Sequence, residues 1–373
     1  MNPTILFKLV LLCLFACLGA SNGAFAQSRS GSELDLSKCW EYVGAVSASL
    51  LAVDNEHIYI GSKEGRVEAI SVDGKKIWES EFGGTVNSNL LPLNGGLMVV
   101  TSNVSTDPSK QVSSKLRLLS KETGIMNWGI TLSGGSAYYL GTFGPSAIIV
   151  SYDGLIRSVD VKTGEIKWQR QVGAKVVAAP SFSGTTLTVA TDARKLITYA
   201  ATNGVIEHER SSRFRTTAIL ETDDGQIIAG DERGNITFLN GGSKEWQFKS
   251  GGEISGIFAV DSNILAASHD NFIYLLAGSN GSIVWKRRVT GRLAQIGRIG
   301  PRNALLAGPD DHNAVFIDLA NGKTASQLAF ADDERIVYQP IESSDRIYVL
   351  TNRSLYAYSR SHCSLKAQKA APL

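Results

Sequence analysis

The side chains able to do covalent or acid–base chemistry are few and scattered through the 373 residues. His57, His208, His269, His312 and His362 stand in separate stretches without paired spacing, so they build neither a metal-ligand set nor the centre of a nucleophilic triad. Asp310-Asp311-His312 is the best metal-like cluster, yet it follows Gly308-Pro309, where a turn accounts for it. Cys39 and Cys363 are the only cysteines beyond the first 26 residues. In an oxidising compartment they read as a disulfide joining the two ends of the chain, the alternative being two unpaired thiols. Arginine is the concentrated chemistry. Lys286, Arg287, Arg288, Arg292, Arg298 and Arg302 occur with no acidic residue between them, and Arg210, Arg213 and Arg215 form a second group. Forked guanidinium donors suit carboxylates, so Arg210, Arg213, Arg215, Arg287, Arg288 and Arg292 are the candidate contacts to an acidic or edge-strand protein partner.

The ends and the charge balance narrow the setting. Lys8 precedes an apolar run from Leu9 to Ala20 and then Ala24-Phe25-Ala26, a small-x-small cleavage pattern, so residues 1–26 read as a signal peptide of an exported protein. Lipidation at Cys17 would follow Leu14-Phe15-Ala16, where the bulky Phe15 is a poor fit. No later stretch has the roughly 18 uninterrupted apolar residues of a spanning helix. Removing Lys8 from the 37 Lys plus Arg leaves 36 against 35 Asp plus Glu, which argues against nucleic acid as a partner.

The elements that must position these residues are repeats. Trp78, Trp128, Trp168, Trp246 and Trp285 close similar strings at a period of about 40 residues, with His208 and Ser326 in the slots where the pattern lacks a tryptophan. Four residues before each of these seven positions is a glycine: Gly74, Gly124, Gly164, Gly204, Gly242, Gly281 and Gly322. Pairs such as Asp73-Gly74 and Asn203-Gly204 supply the positive φ of a tight hairpin. Upstream lie short β-rich runs such as His57 to Gly61 and Arg66 to Ser71, joined by Lys63-Glu64-Gly65. With the apolar run before each pair, every repeat makes four antiparallel strands, and such units bury their faces only by packing on copies of themselves in a closed ring. Residues 27–373 are therefore expected to form one all-β, eight-bladed propeller, with closing positions at 78, 128, 168, 208, 246, 285, 326 and near 366. The longer step from Trp78 to Trp128 is an insertion from about Asn103 to Ser114. Trp40 lies 38 residues before Trp78, so Leu34 to Val43 is expected to complete the eighth blade beside strands from the C-terminus.

The string Ser158-Val159-Asp160-Val161-Lys162-Thr163-Gly164-Glu165-Ile166-Lys167-Trp168 resembles the tryptophan-docking motif of the PQQ-like, quinoprotein-type propellers, and partial copies occur at Ser120 to Trp128 and Asp318 to Gly322. The resemblance implies that Trp40, Trp78, Trp128, Trp168, Trp246 and Trp285 dock neighbouring blades. Catalytic members of that family are longer and hold a quinone through a vicinal cysteine pair and a calcium site; this chain has no Cys-Cys pair, and no cofactor or metal is expected. Shorter, leader-bearing members include the propeller subunit of the outer-membrane β-barrel assembly machinery, normally a lipoprotein. That implies a non-catalytic, monomeric scaffold in the periplasm, associated with the outer membrane through protein partners. The alternatives are a reduced quinone-dependent dehydrogenase and a propeller binding a carbohydrate or small ligand.

Overall fold

The computed structural model describes residues 34–45, 47–103, 113–133, 137–222, 224–240, 243–290, 295–308, 313–360 and 363. The leader reading (1–26, with Cys17), Arg292, the Asp310-Asp311-His312 string, His362, Gly242, most of the blade-two insertion and the position near 366 lie outside them.

The described chain is an eight-bladed β-propeller of antiparallel blades. Blade 1 runs Ala48–Val53, His57–Ser62, Arg66–Ser71 and Lys76–Glu81 from the axis outward. Its burial explains why it cannot exist alone. Every residue of His57–Ser62 is buried, because the second strand is covered on both faces, whereas Lys76–Glu81 hides little beyond Trp78. The core is accordingly not one body but eight apolar layers, one at each junction between blades. Among the described residues the smallest layer lies between blades 4 and 5, with only Ala178, Ala190, Leu196, Ile227 and Leu239 buried.

Ring closure uses both ends of the chain. Ser37–Tyr42 pairs antiparallel with Leu355–Ser359 and becomes the outermost strand of blade 8, Trp40 opposite Ala357. This strand fills the eighth closing position, as expected of Leu34 to Val43. Cys39, within this strand, is bonded to Cys363, their Cα atoms 5.2 Å apart. Blade 2 departs from the four-strand pattern in its innermost strand, which is split into Thr85–Val86 and Leu91–Leu93. Between the two pieces the Asn89 amide donates to Leu140 O (3.0 Å) and accepts from Leu140 N (2.8 Å), imitating a strand pairing with blade 3.

Candidate functional site

Six junctions share one device. The indole N–H of each tryptophan donates to a main-chain oxygen at the end of the next blade's third strand: Trp40 to Val72 (2.9 Å), Trp78 to Lys121 (2.5 Å), Trp128 to Val161 (3.0 Å), Trp168 to Ala201 (3.2 Å), Trp246 to Gly278 (2.8 Å) and Trp285 to Leu319 (2.8 Å). The ring then lies on the next blade's turn glycine, in order Gly74, Gly124, Gly164, Gly204, Gly281 and Gly322. All six glycines have φ between 67° and 81°. The glycine thus serves the turn and leaves room for an indole from the preceding blade. The residue two places after the tryptophan often reaches the same turn: Ser80 Oγ donates to Gly124 O (2.9 Å), and Arg170 to Gly204 O and Asn203 O (3.0 Å each).

Two junctions lack the indole and are solved differently. At blades 7 and 8, where Ser326 holds the position, Leu34, Leu36 and Phe330 pack on the layer, and Leu34 N donates to Ala325 O (3.0 Å). At blades 4 and 5, His208 stands exposed on the outermost strand.

The structure separates the arginines by role. Arg287 lies on the outermost strand of blade 6 and is consumed by the junction with blade 7, donating to Gly322 O (2.8 Å) and Thr324 Oγ1 (2.7 Å). Burial lowers its pKa. Arg288 is exposed at the end of the same strand. Arg298 lies on the innermost strand of blade 7 and contacts Asp261, so the run beginning at Lys286 spans two blades instead of one connection. Arg210 is half-buried on the outermost strand of blade 4, while Arg213 and Arg215 occupy the connection into blade 5.

That connection is the core of a basic rim. Arg213 and Arg233 bring their guanidinium carbons to 5.2 and 5.8 Å from the Phe214 ring centre, a cation–π arrangement on one half-buried aromatic. Arg194 Nη1 donates to Arg213 O (3.4 Å). Arg215 is paired with Glu232 through main-chain N and Nε, both at 3.3 Å. The main-chain bond from Arg215 first of all, helped by its guanidinium, holds the Glu232 carboxyl below its usual range against the opposing effect of burial. Arg194, Arg213 and Arg233 are all exposed on this face. A contiguous guanidinium surface with an aromatic centre suits carboxylates. Sequence reasoning missed Arg194, Arg233 and Phe214, because the turns carrying them meet only when blades 4 and 5 stand side by side. One signal was available: Arg194, with φ 57°, fills the turn slot held by glycine at Gly65, Gly154 and Gly234.

The rim stands above a groove of about 390 Å³ between blades 4 and 5, lined by Leu196, Arg210, Thr237, Leu239, Lys244 and Gln247 among others. A second, wider groove of about 740 Å³ between blades 5 and 6 is lined by Glu221, Asp224, Glu245 and Asp261 with Phe238. Perturbed ionisable groups elsewhere serve the frame. Asp270 would be raised by burial, but bonds from the Tyr274 hydroxyl (2.7 Å) and Gly251 N (2.7 Å) hold it low. Burial and then the charges of Glu334 and Glu41 push Tyr358 up to about 12. Among the described residues no group of three or more His, Cys, Asp or Glu could hold a metal ion, and no helix is long and apolar enough to cross a membrane.

Eight antiparallel blades, six of their junctions closed by a tryptophan, define a propeller of the PQQ-repeat class. The chain matches the family described as outer membrane protein assembly factor BamB over residues 24–137 and 112–241, and it belongs to that family. It is 20% identical over 342 residues to the outer membrane protein assembly factor BamB of Yersinia pestis, covering 88% of this chain and 76% of that protein. It is also 20% identical over 324 residues to the factor of the same name from Moranella endobia, covering 84% and 72%. Among solved structures, BamB from Moraxella catarrhalis superposes with a TM-score of 0.69 at 13% identity, over 87% of this chain and all of that one. The computationally designed Ika8 protein gives 0.68 at 12% identity, over 88% of this chain and all of that one, a likeness of fold alone.

Proposed function

We propose that this chain is a non-catalytic, exported propeller that serves as a docking platform for protein partners in outer-membrane protein assembly. Residues 1–26 are its removable leader, and residues 27–373 work as a single monomeric domain in the periplasm. The observation that carries the reading is membership of the assembly-factor family across more than half of the chain. The geometry supports it: the tryptophans and the perturbed carboxylates are occupied in holding blades and turns together, while the exposed guanidiniums of Arg213 and Arg233 lie against Phe214, with Arg194 bonded to the main chain of the same connection. Arg210 and Arg215 flank this surface, Arg288 and Arg292 belong to a second basic stretch, and Arg287 acts in the frame.

The test is affinity capture of the exported protein from crosslinked cell envelopes. Outer-membrane assembly proteins are expected with the wild type and are expected to fall away when Arg213→Gln and Arg233→Gln are combined. Their absence from repeated wild-type captures overturns the reading. So does turnover with added PQQ, calcium and an artificial electron acceptor, which a docking platform does not support.

A further inference from the structure

Six blade junctions are closed by an indole and a seventh by Leu34, Leu36 and Phe330; the junction between blades 4 and 5 is closed by neither. The groove there is the space an indole from blade 4 would fill. At the preceding junction, Trp168 shares a layer with Ile197 and Tyr199 of blade 4's third strand. Strand register equates those positions with Thr237 and Leu239 of blade 5, since Thr198 faces His208 as Phe238 faces Trp246. Thr237 and Leu239 both line the groove.

Its borders are cationic. Arg210 enters from blade 4, Lys244 from blade 5 and Arg213 from the connection between them. The carboxylate in the lining is Asp231, whose oxygens already accept from the main-chain N–H groups of Arg233 (2.9 Å) and Asn235 (2.9 Å) and from the Asn235 amide (2.6 Å). A cleft that combines Leu196, Phe214 and Leu239 with polar neighbours such as Thr216, Thr237 and Gln247, and that carries an excess of positive charge, is complementary to an indole, whose ring is apolar and whose N–H needs an acceptor, flanked by carboxylates.

We propose that this groove seats an aromatic side chain, an indole first of all, carried by an acidic extended segment of a protein partner. The partner's ring takes the place that the chain's own tryptophans take at six other junctions. This rests on the docking reading above and specifies the partner it would take.

The probe is the fluorescein-labelled, C-terminally amidated peptide Glu-Asp-Trp-Asp-Glu, titrated with the exported protein and followed by anisotropy. Two further peptides replace Trp by Ala, or all four acids by Lys. The full peptide is expected to bind, and both replacements to weaken binding by about tenfold or more, as loss of a central anchor does at an interface. His208→Trp is expected to abolish binding and raise the melting temperature, because the chain then supplies its own seventh indole. Gln247→Trp fills the groove from the opposite wall and is expected to abolish binding as well, which keeps the test decisive should His208→Trp misfold. Equal binding of the Trp and Ala peptides, or unchanged binding by folded His208→Trp and Gln247→Trp, overturns the proposal. If the wild type binds no peptide while envelope capture still recovers assembly proteins, the groove assignment falls and the docking reading stands; if capture also recovers none, both fall.

Discussion

The ring of Trp78 in blade 1 occupies the space into which a Cβ on Gly124 of blade 2 would project, 2.4 Å from the indole Cε3. Gly124 also has φ 68°. Two separate physical demands therefore fall on one residue, a left-handed backbone and a surface flat enough to carry a ring. Gly124→Ala is expected to cost about 2–4 kcal/mol, roughly 1 from the backbone and the remainder from overpacking. With Trp78→Ala as the background the crowding against the ring is gone, leaving the backbone part of about 1 kcal/mol and the closer approach to Ser80 Oγ. Urea midpoints of the four proteins in this cycle measure the coupling. If Gly124→Ala costs the same in both backgrounds, the ring does not act on that glycine.

Arg287 tests whether arginines in this chain divide into frame and surface. Its two bonds reach the main chain and a side chain of the next blade. Arg287→Ala is expected to lower stability by about 1.5–3 kcal/mol, the range for hydrogen bonds from a charged donor. Capture of envelope partners by the folded fraction should be unchanged. Arg213→Gln, whose side chain is exposed, is expected to do the reverse. Denaturation midpoints and capture yields measured on the same preparations separate the two roles.

These roles mark where the sequence was legible. The four-residue interval between glycine and tryptophan is local, so the hairpin, the blade and the ring could all be read from it. Trp40, placed one period before Trp78, revealed how the ring closes. What could not be read was the partner of each glycine, because Gly124 meets Trp78 of the preceding blade, not its own Trp128. The fates of His208 and Ser326 were equally hidden. Both are gaps in the same pattern, yet one is covered by Leu34 and Leu36, which come from the far end of the chain, and the other is left as a groove. Arg287 and Arg213 likewise look alike in a basic run, and only the approach of blade 7 distinguishes them.

The Cys39–Cys363 bond should matter because it ties the closing strand to the chain's other end across 324 residues. Chain-entropy arguments give about 6 kcal/mol as an upper figure. The pairing of Ser37–Tyr42 with Leu355–Ser359 is made by the backbone ladder and not by the bond, so native secondary structure is expected to persist on reduction at room temperature while the melting temperature falls. Melts with and without reductant, compared with the Cys39→Ser, Cys363→Ser double variant, measure this. A reductant effect on the double variant as large as on the wild type excludes the bond as the cause.

Acid should weaken the junction between blades 1 and 2 through Asp54. Burial would raise its carboxyl, but the Lys121 ammonium at 2.6 Å and the main-chain N–H groups of Glu56 and His57 hold it below its ordinary value of 3.8. A carboxyl whose folded pKa is depressed binds protons more weakly in the folded chain than in the unfolded one. Its contribution is therefore complete above about pH 5 and drains away as pH falls through roughly 4 and then the lower folded value. Asp54→Asn is expected to be less stable than the wild type at pH 7, with the gap narrowing at pH 3. Urea unfolding at the two pH values reads the gap, and a constant gap contradicts the assignment.

Leu34 and Leu36 provide the sharpest test of how a junction closes without its indole. Both are half-buried against the layer formed by blades 7 and 8, and Leu34 is further held by its main-chain bond to Ala325. Truncating the pair removes apolar cover but breaks neither the disulfide nor the closing strand, so the loss belongs to the junction. Since neither side chain is fully buried, Leu34→Ala with Leu36→Ala is expected to cost about 2–4 kcal/mol together, below the usual range for two core leucines. Ser326→Trp, which restores an indole at this position, is expected to recover part of that loss in the truncated background and to be neutral or harmful in the wild type, where the leucines already fill the space. Equal effects of Ser326→Trp in the two backgrounds would show that the N-terminal leucines and the missing indole do not share a site.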